Sequence, residues 1–168
     1  MIKTGWMFAY ASNMHLPDIE RWLRDNAHPP ESVAQVGEVL KMSGRRAVLD
    51  GWEVCWNRCS SHRGGGAANI REAAGQRVYG VAYRISNGLL KLFDAKEGYP
   101  TSYDRRVVPV TLLDSGDKVD GWAYVSNGNR PEPVWPTREY KRLVLAGAHS
   151  WGLPTDYVFQ LSAIPTAD

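Results

Sequence analysis

The run Val78-Tyr79-Gly80-Val81-Ala82-Tyr83-Arg84-Ile85, with Ser86 directly behind it, constrains the chain more than any other segment. Its β-branched and aromatic residues favour an extended, half-buried strand. Ser86 can then accept a hydrogen bond from the first turn of a helix. Leu89, Leu90, Leu92 and Phe93 form an apolar stripe along that helix, and Gly98 is placed to stop it. Glu97 therefore falls at a helix C-terminus.

The rest of the chain alternates in the same way. Trp6 to Tyr10 is a short apolar and aromatic run, followed by Ala11-Ser12-Asn13-Met14 and by Pro17, which opens a helical pattern with Ile19, Trp22 and Leu23. Ser32 to Leu40, with Val33, Val36 and Val39, reads as a strand, as does Ala47 to Trp56. Arg63 to Ile70 reads as a glycine-rich loop without the Gly-Lys-Ser/Thr ending that a phosphate-cradling loop requires. Arg105 to Leu113 and Gly121 to Ser126 read as a hairpin around the turn Asp114-Ser115-Gly116-Asp117. Thr137 to His149 and Pro154 to Ile164 show helical spacing, broken at Gly152-Leu153-Pro154. Six or seven strands and three or four helices in this order predict an α+β fold, a small, mainly antiparallel β-barrel or curled sheet with flanking helices.

A chain of 168 residues is about the size at which one core buries most of the surface exposed on unfolding, and no linker or repeat interrupts it. The expectation is a single domain over residues 1–168. The net charge of +2 and the absence of a Lys/Arg run argue against nucleic acid as a partner. No window approaches the apolar length of a membrane span, and the N-terminal run is broken by Lys3 and Gly5, so the expected location is cytoplasmic. Cys55, Cys59 and His62 fall short of the usual four ligands of a zinc site, and no metal is expected. The scattered aromatics predict a monomer or weak homodimer. Taken alone, Glu97 reads as a solvated carboxylate at a helix end, and Ser12 or Asn13 as a simple cap.

Five collinear segments change that reading. Phe8-Ala9-Tyr10-Ala11-Ser12-Asn13-Met14 resembles the Tyr-Gly-Ser-Asn-Leu/Met signature of the γ-glutamylcyclotransferase family. Gly64 to Ile70, Val78 to Ile85, Leu92 to Pro100 with Tyr103, and Tyr140 through Gly147-Ala148 to Gly152-Leu153-Pro154 and Tyr157 resemble that family's later segments, in the same order.

The resemblance implies a reaction in which the α-amine of a γ-glutamyl substrate attacks its own γ-carbonyl, releasing 5-oxoproline and a free amine. No cofactor is implied. Glu97 matches the family's catalytic acid/base, a role that calls for partial burial. Tyr10, Ala11, Ser12, Asn13 and Met14 match the turn that binds substrate through backbone N–H groups. Tyr103 and Tyr140 match phenols that position substrate beside the carboxylate. Ala11 departs from the family's usual glycine, and a positive φ there would cost about 1 kcal/mol. The Ser-Asn-Met ending is less similar to the glutathione-specific branch, which points to γ-glutamyl amino acids or other γ-glutamyl amides. Two alternatives stand beside this: a non-catalytic binding module of the same fold, and a γ-glutamyl hydrolase or transferase that uses an external nucleophile.

Overall fold

The computed structural model describes residues 4–131 and 133–168. Expectations touching Met1 to Lys3 lie outside the described residues, as does Glu132. The fold is α+β: a closed five-stranded barrel with helices packed around it, in the strand order β1-β3-β2-β4-β5. The strands are β1 (Thr4–Ala9), β2 (Gly44–Ser60), β3 (Gly65–Ser86), β4 (Tyr103–Leu112) and β5 (Lys118–Ser126). The neighbours pair antiparallel except where β1 meets β5 in parallel, Trp6 opposite Gly121 and Met7 opposite Trp122, closing the barrel.

The helices are α1 (Leu16–Asp25), α2 (Pro30–Ser43), α3 (Asn87–Glu97), α4 (Arg138–Ser150) and α5 (Thr155–Ser162). α3 follows the sequence pattern closely: the Ser86 hydroxyl accepts the Leu89 N–H at 3.2 Å, and Gly98 takes φ 66° in the left-handed region that ends the helix. Leu89, Leu90 and Phe93 are buried against the barrel. The β4–β5 hairpin runs in register from Tyr103 opposite Ser126 to Thr111 opposite Lys118.

Two sequence expectations give way. Ser32 to Leu40 is not a strand but the body of α2. Val33, Gly37 and Leu40 are its buried positions, a helical repeat that the β-branched valines disguised, and Pro30 occupies the first turn. Gly65 to Ile70 is not loop but the start of β3, paired with Ser60 through Val54 of β2. Gly66 N–H donates to the Trp135 carbonyl at 2.9 Å, so backbone groups that a loop would give to water are used in the sheet and against the neighbouring segment. The element count shifts accordingly, to five strands and five helices among the described residues.

β2 and β3 are long because their hairpin is interrupted without ending. Between the pairs Asp50–Arg77 and Trp52–Glu72 the residues Ala73 to Gln76 stand opposite Gly51 alone, and a second shift follows between Cys55 and Arg58. Such extra residues bend the bulged strand and raise its local twist. Beyond the second shift, the far half of the hairpin carries Arg58, Cys59 and, in its turn, Arg63 to a cleft at the barrel's end.

Candidate active site

β1 ends at Ala9, and the chain turns through Tyr10 and Ala11 into a single 3-10 turn, Ser12–Met14. The turn is fixed from several sides. Tyr83 OH donates to the Asn13 carbonyl at 3.0 Å and Trp151 Nε1 to the Met14 carbonyl at 2.9 Å. Gly147 of α4 faces the same backbone, where a Cβ would stand 2.9 Å from Met14 C and from His15 N. Only glycine allows that close an approach. The first N–H groups of such a turn, those of Ser12 and Asn13, have no partner within it.

Glu97 reaches the turn from the last residue of α3. Its side chain is 16% exposed, and Asn13 Nδ2 donates to Glu97 Oε1 at 2.9 Å. Tyr10, Ala11, Ser12, Asn13, Tyr103 and Tyr140 line one inner pocket with Glu97, about 30 Å³ in volume. Phe8, Ala9, Ala68 and Tyr124 complete it. Ser12, Glu97, Tyr103 and Tyr140 also line a wider outer cleft of about 320 Å³, whose other walls include Trp22, Arg58, Cys59, His62, Arg63 and Lys96. The arrangement is a small inner chamber beside a roomier vestibule whose charged walls are Arg58, Arg63, Lys96 and Glu97.

Met14 does not belong to this surface. It is fully buried beneath α4, and its contribution is to anchor the turn. Ala11 has φ −138° and ψ −132°, outside the left-handed region, so its methyl carries none of the strain that a positive φ would impose. The surroundings of Glu97 are also more polar than the apolar stripe of α3 implies, because that stripe faces the barrel while Glu97 faces the turn.

The phenols are already engaged. Tyr10 OH donates to the Tyr124 carbonyl at 2.6 Å, and Tyr103 OH to the Ala68 carbonyl at 3.2 Å. Burial pushes the Tyr10, Tyr103 and Tyr140 phenols well up, and the nearby Glu97 charge adds to this. They stand as neutral walls at any ordinary pH. Tyr124 is pushed up by burial and then by its 2.8 Å bond to Asp94. Glu97 is thus the one carboxylate among the described residues lining the inner pocket.

Behind the pocket lies a charged cluster that sequence reasoning missed. Asp18, 2% exposed in its side chain, accepts from Arg63 at 2.8 and 3.2 Å and from Arg21 at 2.7 Å. Lys96, 5% exposed, donates to Asn13 Oδ1 at 2.9 Å and lies 3.6 Å from Glu97 Oε1 and 3.9 Å from Asp18 Oδ2. Burial alone would push the Asp18 carboxyl up, but the Arg63 hydrogen bonds and the Lys96 and Arg63 charges hold it below its usual range. No periodicity marks these residues, which meet only in the folded chain. Cys55 is buried and Cys59 exposed, both as free thiols, and among the described residues no three His, Cys, Asp or Glu side chains converge as metal ligands.

The closed five-stranded barrel with flanking helices is a fold shared with solved γ-glutamyl cyclotransferase structures. A sequence model of the AIG2-like family matches residues 77–161, half of the chain, and the chain belongs to that family. The human γ-glutamylcyclotransferase is 27% identical over 104 residues, 62% of this chain and 54% of that protein. The Bos taurus γ-glutamylcyclotransferase is 28% identical over the same length. The chain spans about half the length of the curated relatives it matches.

Among solved structures, a γ-glutamyl cyclotransferase superposes with a TM-score of 0.79 at 23% identity, covering 99% of this chain and 90% of that one. An uncharacterized human protein gives 0.76 at 24% identity, covering 98% and 90%. YkqA from Bacillus subtilis gives 0.79 at 21% identity, covering 98% of this chain and 56% of its own. At these identities the likeness is one of fold.

Proposed function

We propose that the protein is a γ-glutamylcyclotransferase, converting a γ-glutamyl amide into 5-oxoproline and the free amine, with Glu97 as the proton-transfer group. The observation that carries this is Glu97 itself, a partly buried carboxylate among neutral phenols, lining one pocket with the Ser12–Met14 turn and bonded to the Asn13 side chain. The family membership and the relatives named γ-glutamylcyclotransferase support it.

The chemistry needs little else. The α-nitrogen forms a bond to the γ-carbon, and the bond from that carbon to the leaving nitrogen breaks. Two protons leave the α-nitrogen between the ammonium and the lactam N–H, and two reach the departing amine to make its ammonium. One carboxylate set between the two nitrogens serves both sites in turn. The γ-carbonyl oxygen becomes negative in the tetrahedral intermediate and takes hydrogen bonds from the turn's N–H groups. Both reacting groups belong to the substrate, so no cofactor or external nucleophile enters.

The reacting γ-carbonyl is set at the mouth of the inner pocket, beside Glu97, and the outer cleft takes the rest of the substrate. γ-Glutamyl amino acids and other γ-glutamyl amides are the preferred substrates, with glutathione disfavoured. The test is mass-spectrometric detection of 5-oxoproline with purified protein and a panel of γ-glutamyl amino acids, γ-glutamyl amines and glutathione, beside Glu97→Gln. Release from the panel, lowered about 10²- to 10⁴-fold in the variant, supports the reading. No product from a folded protein favours a binding module, and free glutamate in place of 5-oxoproline favours a hydrolase.

A further inference from the structure

Asn13 stands between two groups of opposite hydrogen-bonding character. Lys96 Nζ, an ammonium, only donates, and the ionised Glu97 carboxylate only accepts. A primary amide placed between them satisfies both in one orientation alone, Oδ1 towards Lys96 and Nδ2 towards Glu97, the arrangement observed at 2.9 Å on each side. The reversed amide would set NH₂ against NH₃⁺ and oxygen against oxygen. Its orientation is therefore dictated by its neighbours' chemistry.

Lys96 and Glu97 are consecutive in α3, so their side chains leave the helix in different directions. Asn13 is the group that joins them. The 3.6 Å from Lys96 Nζ to Glu97 Oε1 is a charge contact beyond hydrogen-bond length, as is the 3.9 Å to Asp18 Oδ2. A buried ammonium is costly unless paired, and Asp18, itself clamped by Arg63 and Arg21, supplies the balancing charge from α1.

We propose that Lys96 is a positioning residue: acting through Asn13, it holds Glu97 by Oε1 and leaves Oε2 as the oxygen that receives and returns the proton. The proposal rests on the reading of Glu97 as the acid/base. With one oxygen tied, the carboxylate cannot rotate freely between substrate nitrogens and the turn, and the proton rides on the untied oxygen in each transfer. A neutral residue at 96 leaves Asn13 Oδ1 without its donor, so the amide is held from one side only and tethers Glu97 less firmly, without Glu97 losing its place in the pocket. The effect belongs to proton transfer rather than to substrate binding, so it falls on kcat and not on KM.

Lys96→Met keeps the buried stem and removes the ammonium. The expected result is a kcat lower by about 10- to 100-fold, the range seen when a partner that orients an acting group is removed, with KM within about twofold. Asn13→Ala lowers kcat similarly, and adding Lys96→Met to it costs nothing further, because the two act as one unit. Losses that multiply, or an unchanged kcat in Lys96→Met, overturn the proposal. A second measurement needs neither a variant nor turnover. In the unmodified protein, one Asn13 Nδ2 proton is expected to be protected from solvent exchange and to show hydrogen-bond coupling to the Glu97 carboxyl carbon by NMR, and its absence refutes the tether. If the unmodified protein releases no 5-oxoproline from any substrate, the reading of Glu97 fails, and the kinetic half of the proposal with it, while the amide measurement still decides the orientation.

Discussion

At the scale of single residues, the pocket owes its character to which groups are kept neutral and which are kept charged. Burial holds Tyr10, Tyr103 and Tyr140 protonated, and two of these hydroxyls are already committed to backbone carbonyls. Asp18 is the opposite case, a buried carboxylate kept ionised by Arg63 and Lys96. Its pKa in the folded chain lies below the ordinary 3.8, so the stability it contributes is fully present above about pH 4 and is lost as pH falls through the folded value. Asp18→Asn is expected to destabilise the protein by about 3 kcal/mol near neutrality, since it leaves the largely buried Arg63 without its anion and takes one of two nearby carboxylates from Lys96. Urea titrations at several pH values check this: the gap between wild type and variant should narrow below about pH 4. A gap that widens in acid contradicts the assignment. Ala11→Gly is a quieter change. With φ at −138°, glycine relieves nothing there and adds freedom to the unfolded chain, so Tm should fall slightly, by at most about 1 kcal/mol in stability, with kcat kept within about twofold.

At the scale of elements, the site is a junction of one helix end, one strand end and the helix that covers them. α3 could be read from its sequence because both of its ends are chemically marked, by the Ser86 cap and the left-handed Gly98. That placed Glu97 correctly on the chain. Nothing local said that Asn13 would meet it, 84 positions away, or that Arg63 from the β2–β3 turn would reach Asp18 on α1. Those meetings depend on the barrel's closure. α2 was misread for a different reason: valines at every third position satisfy β propensity residue by residue, while burial follows the helical repeat of Val33, Gly37 and Leu40. The glycine-rich start of β3 likewise looks like loop by composition and becomes strand because β2 pairs with it. The junction itself can be tested from the covering helix. Gly147→Ala inserts a methyl 2.9 Å from the backbone of Met14 and His15, and should cost about 1–3 kcal/mol and lower kcat by displacing the turn, as read by thermal melts and steady-state rates. An active and fully stable variant would show that the turn is not held by α4.

At the scale of the whole molecule, the resemblance carried in five separate segments and the observed fold meet in one place. Four segments put a residue on the wall of the same pocket, the 10–14 turn, the start of β3 through Ala68, the end of α3 with Tyr103, and Tyr140 at the head of α4, and the fifth anchors the turn through the Tyr83 hydroxyl. The barrel supplies the rigidity. Its core residues Phe8, Tyr83 and Phe93 are fully or almost fully buried and hold β1, β3 and α3 together, so the distance between the turn and Glu97 is fixed by packing rather than by loops. A rigid site of this kind suits a reaction whose partners already share one molecule, where the protein's task is to hold the substrate bent for ring closure and to move protons. The central claim, internal ring closure served by Glu97, is tested most directly by running the reaction on a γ-glutamyl amino acid in ¹⁸O-water, with wild type and Glu97→Gln side by side. The account predicts 5-oxoproline free of ¹⁸O and equimolar with the released amino acid, and close to none in the variant. ¹⁸O-labelled glutamate, or undiminished 5-oxoproline from Glu97→Gln, would contradict it.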